Sequence, residues 1–143
     1  LVDLADLELL PFEQAHDGIA LALDSEDPLS KYWALIVCSS FGREAAQFKE
    51  RAIQLCQDPD LLVRTRAAEV LGLSGLGDPV PVILDALYGS QDGVEALLIL
   101  NSLVLLKDGP HAYEFALEEE RMAPQVREDA QVGRRLDYVM GKL

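Results

Sequence analysis

The chain is poor in the residues that hold nucleic acid. Its 143 residues carry 12 Lys and Arg against 25 Asp and Glu, a formal net charge of −13. Such a surface repels a phosphate backbone. Solubility accounts for the acidity, and a basic partner surface is the sharper alternative. Aromatic residues make up only 6%, which disfavours an aromatic-rich sheet sandwich and favours close packing of Leu- and Ala-rich helices. The two cysteines, Cys38 and Cys56, make no disulfide framework. Both fall on or near apolar stripes and read as small buried hydrophobes, which leaves the redox compartment open. No apolar run approaches about 18 residues, so no membrane span is expected. Gly-rich phosphate loops and Ser/His/Asp arrangements are also missing. Leu1 stands where an initiating Met would, so the chain is expected to be a piece of a longer one, and nothing about export follows.

What the sequence does contain is an internal echo. KYWALIVCSSFG from Lys31 and RTRAAEVLGLSG from Arg64 align at an offset of 33 residues. Lys31 falls on Arg64, Ala34 on Ala67, Leu35 on Ala68, Val37 on Val70, Cys38 on Leu71 and Gly42 on Gly75. A weaker third copy, ILNSLVLL, starts at Ile99. A period of this length on helix-period apolar patterns predicts an all-α superhelix of about four helix pairs. At this length the chain forms one domain that buries roughly 70% of its unfolded surface.

The elements follow from the punctuation. Residues 1–10 read as an incoming helix or linker. From Pro11 to Leu23, the residues Phe12, Ala15, Ile19, Ala22 and Leu23 share one helical face. Asp27 is placed to cap a helix that opens at Pro28 and ends near Gly42. The next helix spans about Glu44 to Gln57 on an apolar stripe of Ala45, Phe48, Ala52 and Leu55. Asp60 caps a third, with Val63, Ala67, Val70, Leu71 and Ser74 inward and Thr65, Arg66 and Glu69 outward. Arg66 and Glu69 are spaced to pair for a few tenths of a kcal/mol. After Gly75-Leu76-Gly77-Asp78-Pro79 come a short helix, PVILDALY, and a long one from Gln91 to Lys107. The latter is apolar nearly all round from Leu97 to Leu106, which predicts burial on both sides. Residues 11–109 thus form the repeats, and 110–143 form polar capping helices that close the stack.

Residues Phe12 to Gly109 resemble HEAT-like repeats. The marks are Asp58-Pro59-Asp60, then Val63-Arg64, Ala67-Ala68 and Leu71, then Gly77-Asp78-Pro79. The alanines let paired helices approach closely, and Arg64 is placed to run back along the acidic turn of a neighbouring repeat. A narrower order is similar to the C-terminal HEAT-like region of some bacterial sulfatases: Asp27-Pro28, Lys31-Tyr32-Trp33-Ala34, Val63 to Leu71, and Leu100-Asn101-Ser102-Leu103. That resemblance covers roughly two-thirds of the chain. It implies a catalytic domain upstream, which would hold calcium, and a periplasmic or extracellular location if that parent enzyme is exported. The sulfatase nucleophile motif C/S-x-P/A-x-R is absent. Its lookalike, Cys38-Ser39-Ser40-Phe41-Gly42-Arg43, lacks the Pro or Ala and places its Arg one residue late.

Residues with chemical potential are few. His16 and His111 read as surface polar residues, since His111 with Glu114 on one helical face supplies only two ligands. Asp24, Glu26 and Asp27 lack the alternation and central Gly of a calcium loop, and helix capping explains them. Tyr32 and Trp33, with Arg66, are the candidate interaction surface, because Trp, Tyr and Arg anchor interfaces; packing of Trp33 between helix layers is the plainer alternative. Asp27, Asp60, Arg64 and Asn101 are assigned structural roles, Asn101 as a buried side chain bonding a neighbouring turn. No catalytic, cofactor or metal residue is assigned. The expectation is a non-catalytic scaffold that docks a protein, either its own sulfatase catalytic domain or another subunit, with a stand-alone repeat interaction module as the alternative.

Overall fold

Aspartates open the helices, and the apolar spacing decides which side of each is buried. The computed structural model describes residues 11–41 and 46–142. The incoming segment over 1–10, the helix end at Gly42 and the helix start at Glu44 with Ala45 lie outside the described residues.

Among the described residues the fold is all-helical. Eight α-helices follow in order: α1 Phe12–Leu23, α2 Pro28–Phe41, α3 Lys49–Leu55, α4 Leu61–Ser74, α5 Val80–Gly89, α6 Gly93–Lys107, α7 Pro124–Arg127 and α8 Ala130–Val139. Helix α1 buries the five residues expected of it. Asp27 caps α2, accepting from the Leu29 N–H at 3.1 Å and the Ser30 hydroxyl at 3.0 Å. Asp60 caps α4 through the Leu62 and Val63 N–H groups. Asp92 and Asp129 do the same for α6 and α8. Gly75 ends α4 at φ 71°, a left-handed conformation that favours glycine.

Helix α4 is the seam of the molecule. It packs against α2, α3, α5 and α6, and its residues join two hydrophobic clusters. Val63, Ala67, Val70 and Leu71 belong to the first, with α1, α2 and α3. Ala68 belongs to the second, with α5 to α8. Encirclement overturns one expectation: Thr65 and Glu69 are not on an outward face but buried. Thr65 tolerates this by donating to the Leu61 carbonyl at 2.9 Å.

Long helix α6 departs the other way. It is not buried all round, because Val94 is 71% and Leu105 47% exposed and Asn101 is exposed as well. Its neighbours α4, α5, α7 and α8 leave one stripe uncovered. Helix α3 is shorter than expected, because residues 46–48 form a 3₁₀ turn. That turn still seats Phe48 beside Phe12 and His16, at centroid distances of 6.0 and 5.1 Å.

The closing segment is only partly the expected set of capping helices. Residues 112–118 form no helix, with Tyr113, Phe115 and Leu117 half-buried and the residues between them exposed. Pro110 and the positive φ of Ala112 (45°) break the helix. The segment then straps across the second cluster. The Tyr113 hydroxyl donates to the Gly72 carbonyl at 2.9 Å, and the Glu118 N–H donates to the Tyr88 hydroxyl at 3.0 Å. His111 and Glu114 therefore share no helical face.

Contacts between the longer helices recur at spacings of 33 or 34 residues. Tyr32 of α2 accepts from Arg66 of α4, 34 residues on. Glu69 of α4 accepts from Ser102 of α6, 33 residues on. A Cβ at Gly72 would touch Leu106, one turn further along both helices. Helices α4 and α6 therefore run parallel, offset by the period seen in the sequence.

Candidate functional site

Helices α2, α6 and α8 each leave part of their surface uncovered, and three shallow hollows lie along it, with the half-buried start of α4 between the first two. The first, about 450 Å³, is lined by Asp27, Leu29 and Tyr32 of the α2 start, Asp60 and Leu62 of the α4 start, and Leu98. A second, about 610 Å³, shares Leu62 and Leu98 and adds Asp92, Val94, Glu95 and Asp129. The third, about 520 Å³, lies between α6 and α8, lined by Leu97, Asn101, Gln131, Arg134, Arg135 and Tyr138.

The first two hollows share a local construction. Each helix begins with an Asp cap, and its second residue is apolar in α2, α4 and α6: Leu29, Leu62 and Val94. Capping occupies Oδ1 of Asp60, Asp92 and Asp129 through backbone N–H groups. Asp27 uses both oxygens within its own turn. Among the described residues none of these four carboxylates takes a cation, so they form an acidic edge beside apolar side chains.

Tyr32, Trp33 and Arg66 come together. The Arg66 guanidinium lies 5.1 Å from the Tyr32 ring centroid and donates to its hydroxyl at 3.1 Å. Trp33 meets Tyr32 edge-on at 6.3 Å. It is half-buried.

Arg66 also reaches inward. Its guanidinium meets Glu69 at 2.8 Å, and the carboxylate side chain is only 2% exposed. Burial pulls the guanidinium pKa down, but Glu69 and Tyr32 more than offset this and leave it raised. The pair is thus a buried ion pair completed by the Ser102 hydroxyl, and not the surface contact that the spacing suggested.

Two structural assignments need correction. Arg64 forms no ion pair among the described residues, and its Nε is buried without a hydrogen-bond partner. A contact of the kind expected is made by the residue aligned with it 33 positions earlier: Lys31 is ion-paired and hydrogen-bonded to the buried Asp58. Position 91, 33 residues after Asp58, is a Gln, so Arg64 has no carboxylate at the matching position. Asn101 is not buried but exposed, because it falls on the uncovered stripe of α6 and lines the third hollow.

The remaining candidates are quiet. Among the described residues, no group of three or more His, Cys, Asp or Glu could hold a metal ion, and no helix is long and apolar enough to cross a membrane. His16 contacts the adjacent Asp17, and Asp24 pairs with Arg51 at 3.2 Å. Both cysteines are free. Burial pushes the Cys38 thiol up to about 12 and the Cys56 thiol up to about 11. Since thiolate is the reacting form, iodoacetamide near neutral pH should label half-exposed Cys56 slowly and Cys38 only after unfolding. Rapid labelling of Cys38 in the native chain, seen by intact mass, would contradict its burial.

Sequence reading missed Lys31, the depth of Glu69, and the polar face of α8. The cap series Asp27, Asp60, Asp92 and Asp129 was visible as spacing, but only its first two members were singled out. No family model, curated protein or solved structure matches the chain.

Proposed function

We propose that the chain is a non-catalytic, HEAT-like helical-repeat scaffold that docks a protein on the uncovered faces of α2, α6 and α8, with the half-buried start of α4 between them. The recurring register carries this reading. Tyr32 with Arg66, and Glu69 with Ser102, join helices 33 or 34 residues apart, as stacked repeats require. Stacking at that register sets one helix of each pair in a row and leaves its outer side for a partner. Leu29, Val94 and the Tyr32–Trp33 pair offer apolar and aromatic anchors there. The acidic edge favours a basic partner segment.

The sequence likeness to the tail of bacterial sulfatases supplies the partner: the catalytic domain of the parent enzyme. The chain acts on no sulfate ester itself, and its calcium-dependent partner carries the chemistry. The test has two arms. The coding sequence upstream of Leu1 should contain C/S-x-P/A-x-R, and the catalytic domain it encodes should co-purify with this chain supplied in trans. Trp33→Ala should reduce that capture at least tenfold while leaving the thermal melt unchanged. Turnover of an aryl sulfate by the isolated chain would overturn the non-catalytic reading, and absence of the upstream motif would remove the sulfatase.

A further inference from the structure

The third hollow differs from its neighbours in chemistry. Four of its six lining residues, Gln131, Arg134, Arg135 and Tyr138, come from one face of α8, at spacings of three, four and seven residues. The adjoining face of that helix is buried through Val132, Leu136 and Val139, which fixes the rotation of α8 and leaves the polar set exposed beside α6. Leu97 and Asn101, one turn apart on α6, complete the lining. Among the described residues no carboxylate lines this hollow. Neither arginine is ion-paired among the described residues, although the chain carries twice as many acidic as basic side chains.

Each group suggests what it would hold. A guanidinium presents a planar fork of donors that matches a carboxylate in two parallel hydrogen bonds. The amides of Asn101 and Gln131 each donate and accept, as vicinal hydroxyls do. Leu97 and the Tyr138 ring add apolar surface for a C–H face. The ring is held in place: its hydroxyl donates to the Asp108 carboxylate at 2.6 Å, and the Lys107 ammonium sits 5.2 Å from its centroid. The hydrogen bond to Asp108 raises the Tyr138 phenol pKa, so the hydroxyl keeps its proton at neutral pH. A volume of about 520 Å³ falls within the range of roughly 300–1,000 Å³ usual for small-ligand clefts.

We infer that the hollow between α6 and α8 binds a sugar acid, with Arg134 and Arg135 on the carboxylate and Asn101 and Gln131 on the ring hydroxyls. This inference stands apart from whatever docks along the rest of the face. The hollow is open, so affinity falls in the millimolar range.

Asn101 is the only asparagine in the chain, so labelling with ¹⁵N-asparagine yields a single side-chain amide pair inside the site. Glucuronate should shift that pair saturably. Glucose and acetate, which each carry half of the recognised chemistry, should bind at least tenfold more weakly. The variant Arg134→Gln/Arg135→Gln changes two exposed side chains and should keep the wild-type melt while losing glucuronate affinity at least tenfold. No saturable shift with glucuronate, equal affinity for acetate or glucose, or an unaffected double variant would each overturn the assignment.

Discussion

Replacing Arg66 by Ala is expected to lower the unfolding free energy by about 3 kcal/mol, read from urea melts followed by circular dichroism. The Glu69 side chain is 2% exposed and that of Arg66 20%. Removing the cation leaves a buried carboxylate with only the Ser102 hydroxyl, at 3.3 Å. Breaking a buried pair by deleting one partner costs about 3–5 kcal/mol, and the partial exposure of Arg66 places this case at the lower end. The lost contact with Tyr32 adds to the loss but is smaller, since a guanidinium over an aromatic ring near solvent contributes about 0.5–1 kcal/mol. Arg66→Leu together with Glu69→Leu should recover most of the stability, because it removes both charges and not one. A loss below about 1 kcal/mol in the single variant would show that Glu69 reaches water or another cation.

Gly72→Val should cost about 2–3 kcal/mol in the same assay. An ideal Cβ at Gly72 lies 2.8 Å from Leu106 Cδ2 and 2.8 Å from Pro79 Cγ, closer than side-chain atoms pack. Leu106 is 1% exposed, so it has little room to withdraw. Two effects compete at this position. Helix propensity favours almost any residue over glycine, by up to about 1 kcal/mol for Ala. Overpacking a filled core opposes it by about 1–3 kcal/mol, and a β-branched side chain adds atoms where none fit. Packing wins, because helices α4 and α6 touch here and the Tyr113 strap is tied to the Gly72 carbonyl. Gly133 is the control. Nothing lies within 4 Å of a Cβ placed there, so Gly133→Ala in α8 should stabilise by up to about 1 kcal/mol. If Gly72→Val were equally harmless, α4 and α6 would not meet at this register.

Much of the fold was legible because it depends on local signals. The caps at Asp27 and Asp60 and the buried face of α1 need only nearest neighbours along the chain, and the structure places them as expected. Errors came where neighbours in space decide. Glu69 looked like surface because it sits three residues from an arginine, yet α6 covers it and supplies Ser102. Asn101 looked buried because leucines surround it in sequence, yet it falls on the stripe that no helix covers. Residues 112–118 looked helical by composition, but Pro110 and Ala112 break the helix, and the alternation of Tyr113, Phe115 and Leu117 with exposed residues has a strand-like period of two.

The cluster of Tyr32, Trp33 and Arg66 was partly legible for a related reason. Aligning the repeats separated positions that agree, such as Ala34 with Ala67, from positions that differ, such as Tyr32 and Trp33. The differing positions came together on one patch with Arg66. The hollow beside α8 was not legible, since it is built from residues 97–138 and the repeat pattern ends before α8. Its signal was the spacing of Gln131, Arg134, Arg135 and Tyr138, which reads equally well as a solvated face until α6 is placed beside it.

The register of 33 or 34 residues carries the proposed stack and the docking face proposed on it. It can be read directly by nuclear Overhauser contacts in the ¹³C-labelled protein. Cross-peaks should join the Gly72 Hα to the Leu106 methyls and the Tyr32 ring to the Arg66 side chain. If the Gly72 Hα shows no contact with Leu106, or Tyr32 shows none with α4, the helices are not stacked at the sequence period and the repeat-scaffold reading fails.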